Sequence, residues 1–569
     1  MNPSTQIRDT RNLKLGTRPD TPCFPLFWER LGKVTPSGCP THAFFACVGR
    51  VHLHLTNLGT PSFSFFRKRV GNTLLSRVAL SSLTIGLTLT TGCTVGPRYH
   101  PPAPPAVATY TAEAQPATTV SSTGAAGAAQ HLNPSSDIPA QWWTLFQSPE
   151  LDRLVREALA NSPTLAQATA RLNEAQEESN ARTGQTKYPT VTASISAQRE
   201  QVDLATFGVP FPSPPPFGLL NGSVAVSYAL DLFGANRRLV ESLNAQVEYQ
   251  NWQLQGARLM LAGNVVSAAI RQGQLRSQID LTRQMLALQE QQLAITEQRV
   301  AAGGQPQYTV SQQRTLVEQT RATIPPLEQQ LDVVNHQLAV LIGKSPAEAR
   351  IDAITLENLH LPEELPVSLP SSLVRQRPDV RAAESLMHQA SANVGVATAA
   401  LYPQITLSAS AGLIGTSFTS GGQVWNFGAA LAQPIFNGGA LRAEKRKAVN
   451  AYEEAGANYQ QVVLLAFEQV ADSMRAIDHD AQTLQARSTA AAQAEETYTI
   501  ASQRYTFGGI SQLSLLDAQR QYLQTAMDRT ASAASRYSDS AALFQALGGG
   551  WWNDKSTEAH PAVPRTQSP

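Results

Sequence analysis

Cys93 carries the most specific chemistry in this sequence. Before it lie Arg77, an uncharged run at 78–89 and then Gly92, the order of the basic, apolar and small-residue regions of a secretory signal. The apolar run has about a dozen residues, short of the roughly 18 that a membrane-spanning helix needs. A cysteine directly after the small residue is typical of a bacterial lipoprotein, whose thiol takes a diacylglyceryl group, although Thr90 stands where leucine is usual. We therefore predict lipidation here, the alternative being an unmodified cysteine beyond an ordinary signal peptide.

Residues 1–69 differ from the rest of the chain, and we interpret them as a wrongly assigned or disordered N-terminal extension. They hold three of the four cysteines and show no sustained helical or strand period. Residues 70–92 then form the signal peptide. Residues 1–92 carry 11 Lys or Arg and 3 Asp or Glu, which leaves 33 basic and 40 acidic residues in the remainder. This mildly acidic balance argues against nucleic acid as a partner.

No arrangement of catalytic residues occurs in the sequence. The seven histidines after Cys93 are scattered without the spacing of metal ligands. There is no GxSxG motif, P-loop or dinucleotide-binding fingerprint. Cys93 would also be the only cysteine of the processed chain, which excludes disulfides and thiolate metal sites within it. We predict a protein that is not an enzyme, with no metal and no cofactor beyond the covalent lipid.

Beyond the cysteine, the chain divides into a tether, two similar halves and a tail. Residues 93–139 are rich in proline, alanine and threonine, so an extended tether is expected, with order beginning at Trp142. Four blocks recur in the same order, which indicates a first repeat at 140–360 and a second at 361–551. Residues 552–569 are expected to form a disordered tail. The paired blocks begin at Ser162 and Arg377, Leu232 and Ile435, Arg299 and Arg504, and Leu341 and Ala546.

Each half reads as a helix, two strands, a very long helix, a turn and another long helix. The strands alternate apolar with small or polar residues, which fits a half-buried sheet as well as a transmembrane β-barrel. The first long helix carries two apolar heptad series on opposite flanks, which predicts a neighbour on both sides, as in the wall of a tube. The series are Leu281, Leu288 and Ile295, and Leu286, Leu293 and Val300.

Four strands cannot close a barrel, so the pattern also predicts an oligomer. Two chains would give eight strands with a filled interior, whereas three give twelve and a water-filled lumen. The predicted fold class is an α+β membrane protein built from two internal repeats. It combines a trimeric 12-stranded transmembrane β-barrel, four strands per chain, with long helices that form the wall of a tube.

Several motifs resemble those of the outer membrane factors of tripartite efflux and secretion systems (TolC-like, OprM-like), most closely the NodT-type outer membrane lipoproteins. The resemblance covers almost all of residues 93–551. It implies a homotrimer in the cell outer membrane, lipid-anchored and membrane-spanning, with a periplasmic extension, so that the tube of long helices is a long periplasmic α-helical barrel. It also implies an equatorial region that gathers the tether end, the joint between the repeats and the C-terminal segment. The motifs are Gly92-Cys93-Thr94-Val95-Gly96-Pro97, Trp142-Trp143, Arg377-Pro378-Asp379-Val380, Tyr402-Pro403, Leu515-Leu516-Asp517-Ala518-Gln519 and Ala546-Leu547-Gly548.

By this resemblance, two helix hairpins meet at a periplasmic tip that contacts an adaptor and forms the closed gate. The hairpin turns match Gly303-Gly304 and Gly508-Gly509, because glycine supplies the positive φ of a tight reversal. Leu513 and Asp517 lie on one helix face, so three copies would stack a hydrophobic ring and a cation-favouring carboxylate ring. Without the resemblance, Asp517 reads as a solvated helix charge. The matching gate residues are Leu513, Asp517, Arg504 and Tyr505.

The resemblance implies a passive exit duct for small molecules. Its implied partners are two other copies of the chain, a periplasmic adaptor (membrane fusion) protein, an inner-membrane efflux transporter and outer-membrane lipid. Two alternatives stay open: the same duct serving type I protein secretion, and a lipid-anchored coiled-coil scaffold with no pore. The proline-rich stretch at 211–216 favours a duct, because it fits an extracellular loop between two strands.

Overall fold

The computed structural model describes residues 94–124, 126–134, 137–203, 208, 212, 214–417 and 419–554. All of them lie in one of the two units into which the chain divides, Ser81–Pro569. The predictions for the extension at 1–69, the signal peptide at 70–92, the lipidation of Cys93 and the tail beyond 554 fall outside the described residues.

The elements recur in the same order in the two halves. A helix, two strands and two long helices appear first as α2-β2-β3-α3-α4 and again as α6-β5-β6-α7-α8. The helices are α1 (Pro149–Asn161), α2 (Pro163–Lys187), α3 (Ala235–Ala301), α4 (Gln307–Leu341), α5 (Pro370–Gln376), α6 (Pro378–Ala399), α7 (Ala440–Thr506) and α8 (Gln512–Ala546). The strands are β1 (His131–Asn133), β2 (Thr190–Glu200), β3 (Phe217–Leu230), β4 (Glu364–Pro366), β5 (Gln404–Gly415) and β6 (Gly422–Ala432).

Four long strands form one antiparallel sheet in the order β2-β3-β5-β6. Its register aligns Val191, Val226, Ala409 and Phe427 in one row across the strands. Because paired residues share a face of a sheet, the four predicted apolar sets all lie on the same side. Large side chains on that side are exposed in the single chain, with Ile195 at 79% and Phe427 at 76%. The alternation therefore predicted correctly which side chains of each strand share a face.

The two longest helices, α3 and α7, have 67 residues each and contain no proline. Each follows a glycine in the left-handed region, Gly234 with φ of 80° and Gly439 with φ of 84°, where the chain leaves its strand. At 1.5 Å per residue each helix is about 100 Å long. The return helices α4 and α8 have 35 residues each, so the two hairpins match in length.

The seams of α3 differ in part from the predicted ones. One apolar series stays more exposed, with Leu288 at 39% and Ile295 at 44%. The other is half-buried: Leu286, Leu293 and Val300. Met285 is buried between the two series, and so are the polar residues that directly follow the more exposed series: Thr282, Gln289 and Thr296. A heptad pattern identifies the apolar flanks of a helix but not the neighbour that covers each flank. In a single chain, one of the two flanks of α3 remains uncovered.

The segment before Trp142 is more ordered than expected. β1 pairs in parallel with β4. The guanidinium of Arg536, a fully buried residue of α8, donates to Ala126 O at 2.6 Å and to Ala128 O at 2.8 Å. Order therefore begins before Trp142, earlier than expected. The expectation considered apolar burial alone, whereas this segment is held through its carbonyl groups.

The equatorial core joins the start and the end of the described chain. Trp142 stacks on Phe544 with ring centroids 5.6 Å apart, and both side chains are buried. The predicted tail begins at 552, but a short 3-10 helix covers Trp551–Asn553, and Asn553 Nδ2 donates to Ile138 O at 2.7 Å. The first tail residues are therefore ordered, since they complete this core.

Candidate functional site at the hairpin tips

The first hairpin reverses on Gly303 and Gly304. The Gly303 N–H donates to Val300 O and the Gly304 N–H to Arg299 O, each at 2.9 Å. This pair of bonds closes α3 in a Schellman motif, which requires a left-handed residue at the first glycine. Gly303 has a φ of 75°, so the predicted turn glycine serves the backbone.

The second hairpin repeats this geometry at Gly508 and Gly509. The Gly508 N–H donates to Tyr505 O at 3.1 Å, and the Gly509 N–H to Arg504 O at 2.8 Å. A Cβ added at Gly508 or at its counterpart Gly303 would meet no heavy atom within 4 Å. Glycine is therefore favoured there by its positive φ and not by a lack of space for a side chain. Within the described chain, both turns are open on their outer side.

Tyr505 holds the two tips of one chain together. It is only 3% exposed, and the guanidinium of Arg299 lies 5.3 Å from its ring centroid. Gln305 Nε2 donates to its hydroxyl oxygen at 3.2 Å. Arg299 Nη2 also donates to Thr506 O at 3.0 Å, at the negative end of the α7 macrodipole. In the single chain, Tyr505 is thus a buried contact between the hairpins.

Leu513 and Asp517 lie on an exposed face of α8, together with Arg520. Leu513 is 58% exposed, and the three positions follow the i, i+4, i+7 spacing of one helix side. Asp517 Oδ1 lies 3.7 Å from Arg520 Nη1. No ion pair joins Asp517 to the predicted gate residue Arg504 in the described part of the chain, and Arg504 is exposed.

The sequence profile described as "Outer membrane efflux protein" matches two segments of this chain, residues 154–344 and 369–549. The chain belongs to this family. It is 33% identical over 427 residues to "Pyoverdine export outer membrane protein OpmQ" of Pseudomonas aeruginosa, which covers 74% of this chain and 89% of that protein. It is 28% identical over 472 residues to "Nodulation protein T" of Rhizobium leguminosarum bv. trifolii, which covers 81% and 94%.

A solved structure described as "Structural insights of the outer-membrane channel OprN" has the same fold. The match has a TM-score of 0.72 at 28% identity and covers 81% of this chain and 100% of that one. The predicted resemblance to outer membrane factors is confirmed. The protein is thus a member of a family of outer membrane efflux channels.

This outer membrane efflux protein shows neither a helical membrane span nor a metal cluster where its structure is described. No helix there is long and apolar enough to cross a bilayer. No three or more His, Cys, Asp or Glu side chains are grouped there so that they could hold a metal ion.

A buried glutamine cluster near the tips of the efflux protein was not predicted. Gln512 Nε2 donates to Thr309 O at 3.0 Å, and Gln313 Nε2 donates to Gln289 O at 3.2 Å. The side-chain oxygens of Gln289, Gln512 and Gln519 have no hydrogen-bond partner within the described chain. Such groups weaken packing, since a buried polar atom without a partner is costly. Their seven-residue spacing, as in Gln512 and Gln519, was the available signal.

Proposed function

We propose that this protein is the outer-membrane exit duct of a tripartite efflux system. Small molecules would pass through it passively from an inner-membrane pump and a periplasmic adaptor to the exterior. The observation that carries the proposal is the sheet with two open edges, continued in each half by a helix of about 100 Å. Such a chain supplies one sector of a tube whose upper part meets lipid and whose lower part extends into the periplasm.

Closure of the sheet supports a homotrimer. Among the described strands, β2 pairs only with β3 and β6 only with β5, which leaves two unpaired edges. An open edge is excluded within a bilayer, because no water is present there to satisfy its N–H and C=O groups. Three chains with four strands each would give about twelve strands, enough for a water-filled lumen.

The exposed side of the sheet supports contact with outer-membrane lipid. Trp425 is 80% exposed, and Ile195 and Phe427 are nearly as exposed. Side chains of this size face water only at high cost, roughly 1.5–3 kcal/mol for each one. Acyl chains around a closed barrel would cover them.

The exposed face of α8 supports a gate at the tip. In a ring of three chains, Leu513 would form a hydrophobic constriction and Asp517 a carboxylate ring that favours cations. Arg504 is the repeat counterpart of Arg299, which caps the neighbouring long helix within the chain. Arg504 is exposed and would be available to the next chain in the same way.

Two further assignments follow from position. The turns at Gly303-Gly304 and Gly508-Gly509 are the outermost points of the hairpins, so we assign the adaptor contact to them. Cys93 precedes the first described residue, and we assign it the covalent lipid that anchors the N-terminus in the outer membrane. Thr94, its neighbour in the chain, packs against Gly234 beside the sheet, so a lipid on Cys93 would be close to the bilayer.

The proposal is tested by planar-bilayer conductance of the protein purified from membranes, together with its mass by native mass spectrometry. We expect a trimer with a small, cation-favouring conductance that can be opened. A matched pair of variants sharpens the test, because Phe427→Lys places a charge on the outer face of β6 and Asn426→Lys places the same charge on the inner face. A lysine facing the bilayer midplane costs about 2–4 kcal/mol.

We expect Phe427→Lys to lower the yield of inserted trimers and Asn426→Lys to insert but alter ion selectivity. A silent monomer, or equal behaviour of the two variants, would favour the pore-free scaffold and refute the duct. Export of a protein substrate in place of small molecules would favour type I secretion.

A further inference from the structure

The joint between the two repeats of one chain provides a template for the joint between chains. In the described elements, neighbouring helices pack in the order α2-α3-α6-α7. The inner contact, α3 against α6, includes a hydrogen bond of 2.8 Å from Ser242 Oγ to Asn393 Oδ1. Glu241 Oε1 also lies 3.1 Å from His388 Nε2. The outer flanks of α2 and α7 have no helix against them within the described chain.

The duplication makes α7 the counterpart of α3. Gly234 and Gly439, which precede these helices, adopt the same conformation. Counting from these glycines, Arg446 takes the place of Glu241, and Lys447 takes the place of Ser242. The flank of α7 that corresponds to the α6-facing side of α3 is therefore positively charged.

In the same way α2 is the counterpart of α6. Tyr188-Pro189 follows α2 directly, and Tyr402-Pro403 follows α6 after two turn residues. Counting back from these two motifs puts Glu174 in the place of His388. Counting forward from the first residues of the two helices, Pro163 and Pro378, gives an alignment that differs by one residue. The internal joint therefore serves as a guide to corresponding helix faces and not to single pairs of atoms. The flank of α2 that corresponds to the α3-facing side of α6 therefore contains Glu174.

The acidic face of α2 consists of Glu174, Glu177 and Glu178, which follow the i, i+3, i+4 spacing of one helix side. All three are exposed. Ser179, which donates to Asn244 of α3 at 2.7 Å, lies on the other side of the helix. No ion pair engages any of the three glutamates in the described chain, so this face points away from its own chain with its charge uncompensated.

The basic face of α7 consists of Arg442, Arg446 and Lys447. All three are exposed, and the only ion pair recorded for them within the described chain joins Lys447 to Glu444 at 3.5 Å. The first turn of α7 contains no acidic residue. Cations are unfavourable at a helix N-terminus, where the macrodipole is positive, so this placement calls for an anion from outside the chain.

The charges reverse further from the sheet. Because α2 runs towards the sheet and α7 runs away from it, the residues before Glu174 correspond in level to those after Arg446. There α2 carries Arg171, and α7 carries Glu453 and Glu454, all exposed. When the two helices are placed antiparallel, as in the internal joint, acidic residues of one flank lie opposite basic residues of the other at both levels. Such a match of charge order is more specific than a match of net charge alone.

We propose that the acidic face of α2 in one copy docks on the basic face of α7 in the next copy, forming a charged seam that sets the register of the subunit interface. The inference rests on the proposed function, because it requires a ring of copies. Its occupant is a second copy of this chain, since the internal joint supplies both the geometry and the order of the helices.

The first test is a disulfide between copies. Glu174→Cys and Arg446→Cys are combined in the full chain with the three cysteines upstream of Cys93 replaced by serine. Within one chain α3 and α6 separate these positions, and a disulfide needs Cα atoms within about 7 Å. We expect mild oxidation to give reducible dimer and trimer bands. The matched control pairs Glu174→Cys with Glu468→Cys, an exposed position of α7 that lies about 33 Å further along the helix than Arg446, and should not cross-link.

The second test reverses the charges. Arg446→Glu should lower the trimeric fraction about tenfold, because like charges would face each other at the interface. Adding Glu174→Arg should recover most of it, which a folding defect would not allow. Glu468→Arg makes the same change of charge on α7, about 33 Å further along the helix than Arg446, and should leave the trimer intact.

The outcomes separate this inference from the proposed function. A trimer that does not cross-link, or one whose reversal variant is not rescued, overturns the charged seam and leaves the duct standing. A chain that is monomeric by native mass spectrometry overturns both. Cross-linking limited to Glu174→Cys with Arg446→Cys, together with rescue, establishes the seam.

Discussion

Replacing Arg299 with alanine tests what holds the tip of this protein closed. Its side chain reaches from the end of α3 to the end of α7, donating to Thr506 O at 3.0 Å and to Tyr505 O at 3.4 Å. Its guanidinium also lies 5.3 Å from the Tyr505 ring centroid. Alanine removes all three contacts and leaves the Schellman turn at Gly303 in place, because that turn uses only the backbone.

The expected magnitude follows from these contacts. A hydrogen bond from a charged donor contributes roughly 1.5–3 kcal/mol, the long second bond contributes little, and a partly exposed cation–π contact adds about 0.5–1 kcal/mol. Because Arg299 is only half-buried, solvent reduces these values, and about 2 kcal/mol is a reasonable total. If opening the tip breaks these contacts, the open-to-closed ratio should rise about 30-fold.

The assay is single-channel recording, in which the open probability is compared for Arg299→Ala, Arg299→Lys and Arg283→Ala. Lysine keeps the charge but not the two-pronged geometry, so it should give an intermediate value. Arg283 lies on the same helix and pairs with Glu328 at 2.6 Å, far from the tip, so its removal should change nothing. An Arg299→Ala trimer with unchanged open probability would refute the role of this contact.

Three further predictions concern the gate, the anchor and pH. Asp517→Ala should raise the resting conductance and lower the cation preference, and an unchanged reversal potential in a salt gradient would count against the carboxylate ring. Cys93→Ser should abolish the lipid mass increment but leave the trimer, and a monomeric product would contradict this. Burial and a hydrogen bond to the Asp480 carboxyl raise the pKa of Asp539 to about 7. Stability from its bound proton is therefore lost as pH rises from about 4 to 7. Asp539→Asn should raise the free energy of unfolding above that of the parent by about 1 kcal/mol at pH 8, after discounting for solvent, with no difference near pH 4, as thermal unfolding at the two pH values would show.

Local periodicity predicted the sheet and the long helices well. Alternation in β2 and β6 indicated which residues share a face, and the observed row through Val191 and Phe427 follows it. The helices could be predicted because proline is absent over 67 residues. Periods of two and seven are properties of neighbouring residues, so a single chain displays them directly.

Contacts between distant segments could not be predicted in this way. Arg377 was noted as part of a motif, but its role depends on α8 and α7, where it donates to Ala546 O and to Gln469 Oε1, each at 2.7 Å. Tyr505 is predicted to belong to the gate, but its contact with Arg299, a residue from the other repeat, could not be predicted. Periodicity carries no information about partners this far apart in the chain.

The exposed part of the site was easier to predict than the buried part. Leu513 and Asp517 share an open face of α8, as their spacing indicates. The glutamines beneath that face escaped notice because their pattern is polar, and polar heptads are normally read as surface. Their side-chain oxygens have no partner within the described chain, and a buried oxygen without a partner is costly.

Corresponding helix surfaces of the two repeats differ in charge, and the difference follows their roles. One pair of surfaces is in contact within the chain, whereas the other pair must find its partner on another chain. The joint inside the chain combines a buried Arg238, bonded to Glu241 at 2.7 Å, with His388. Its halves are covalently linked and meet at high effective concentration, so they need no steering. The counterpart surfaces on α2 and α7 carry several exposed charges of opposite sign. Separate chains must find each other in one register, and long-range electrostatic attraction provides both the encounter rate and the discrimination against a shifted alignment. In the proposed trimer, the same helix arrangement would thus occur inside each chain and between chains. Inside the chain it would be held mainly by packing, and between chains it would be specified by opposite charges.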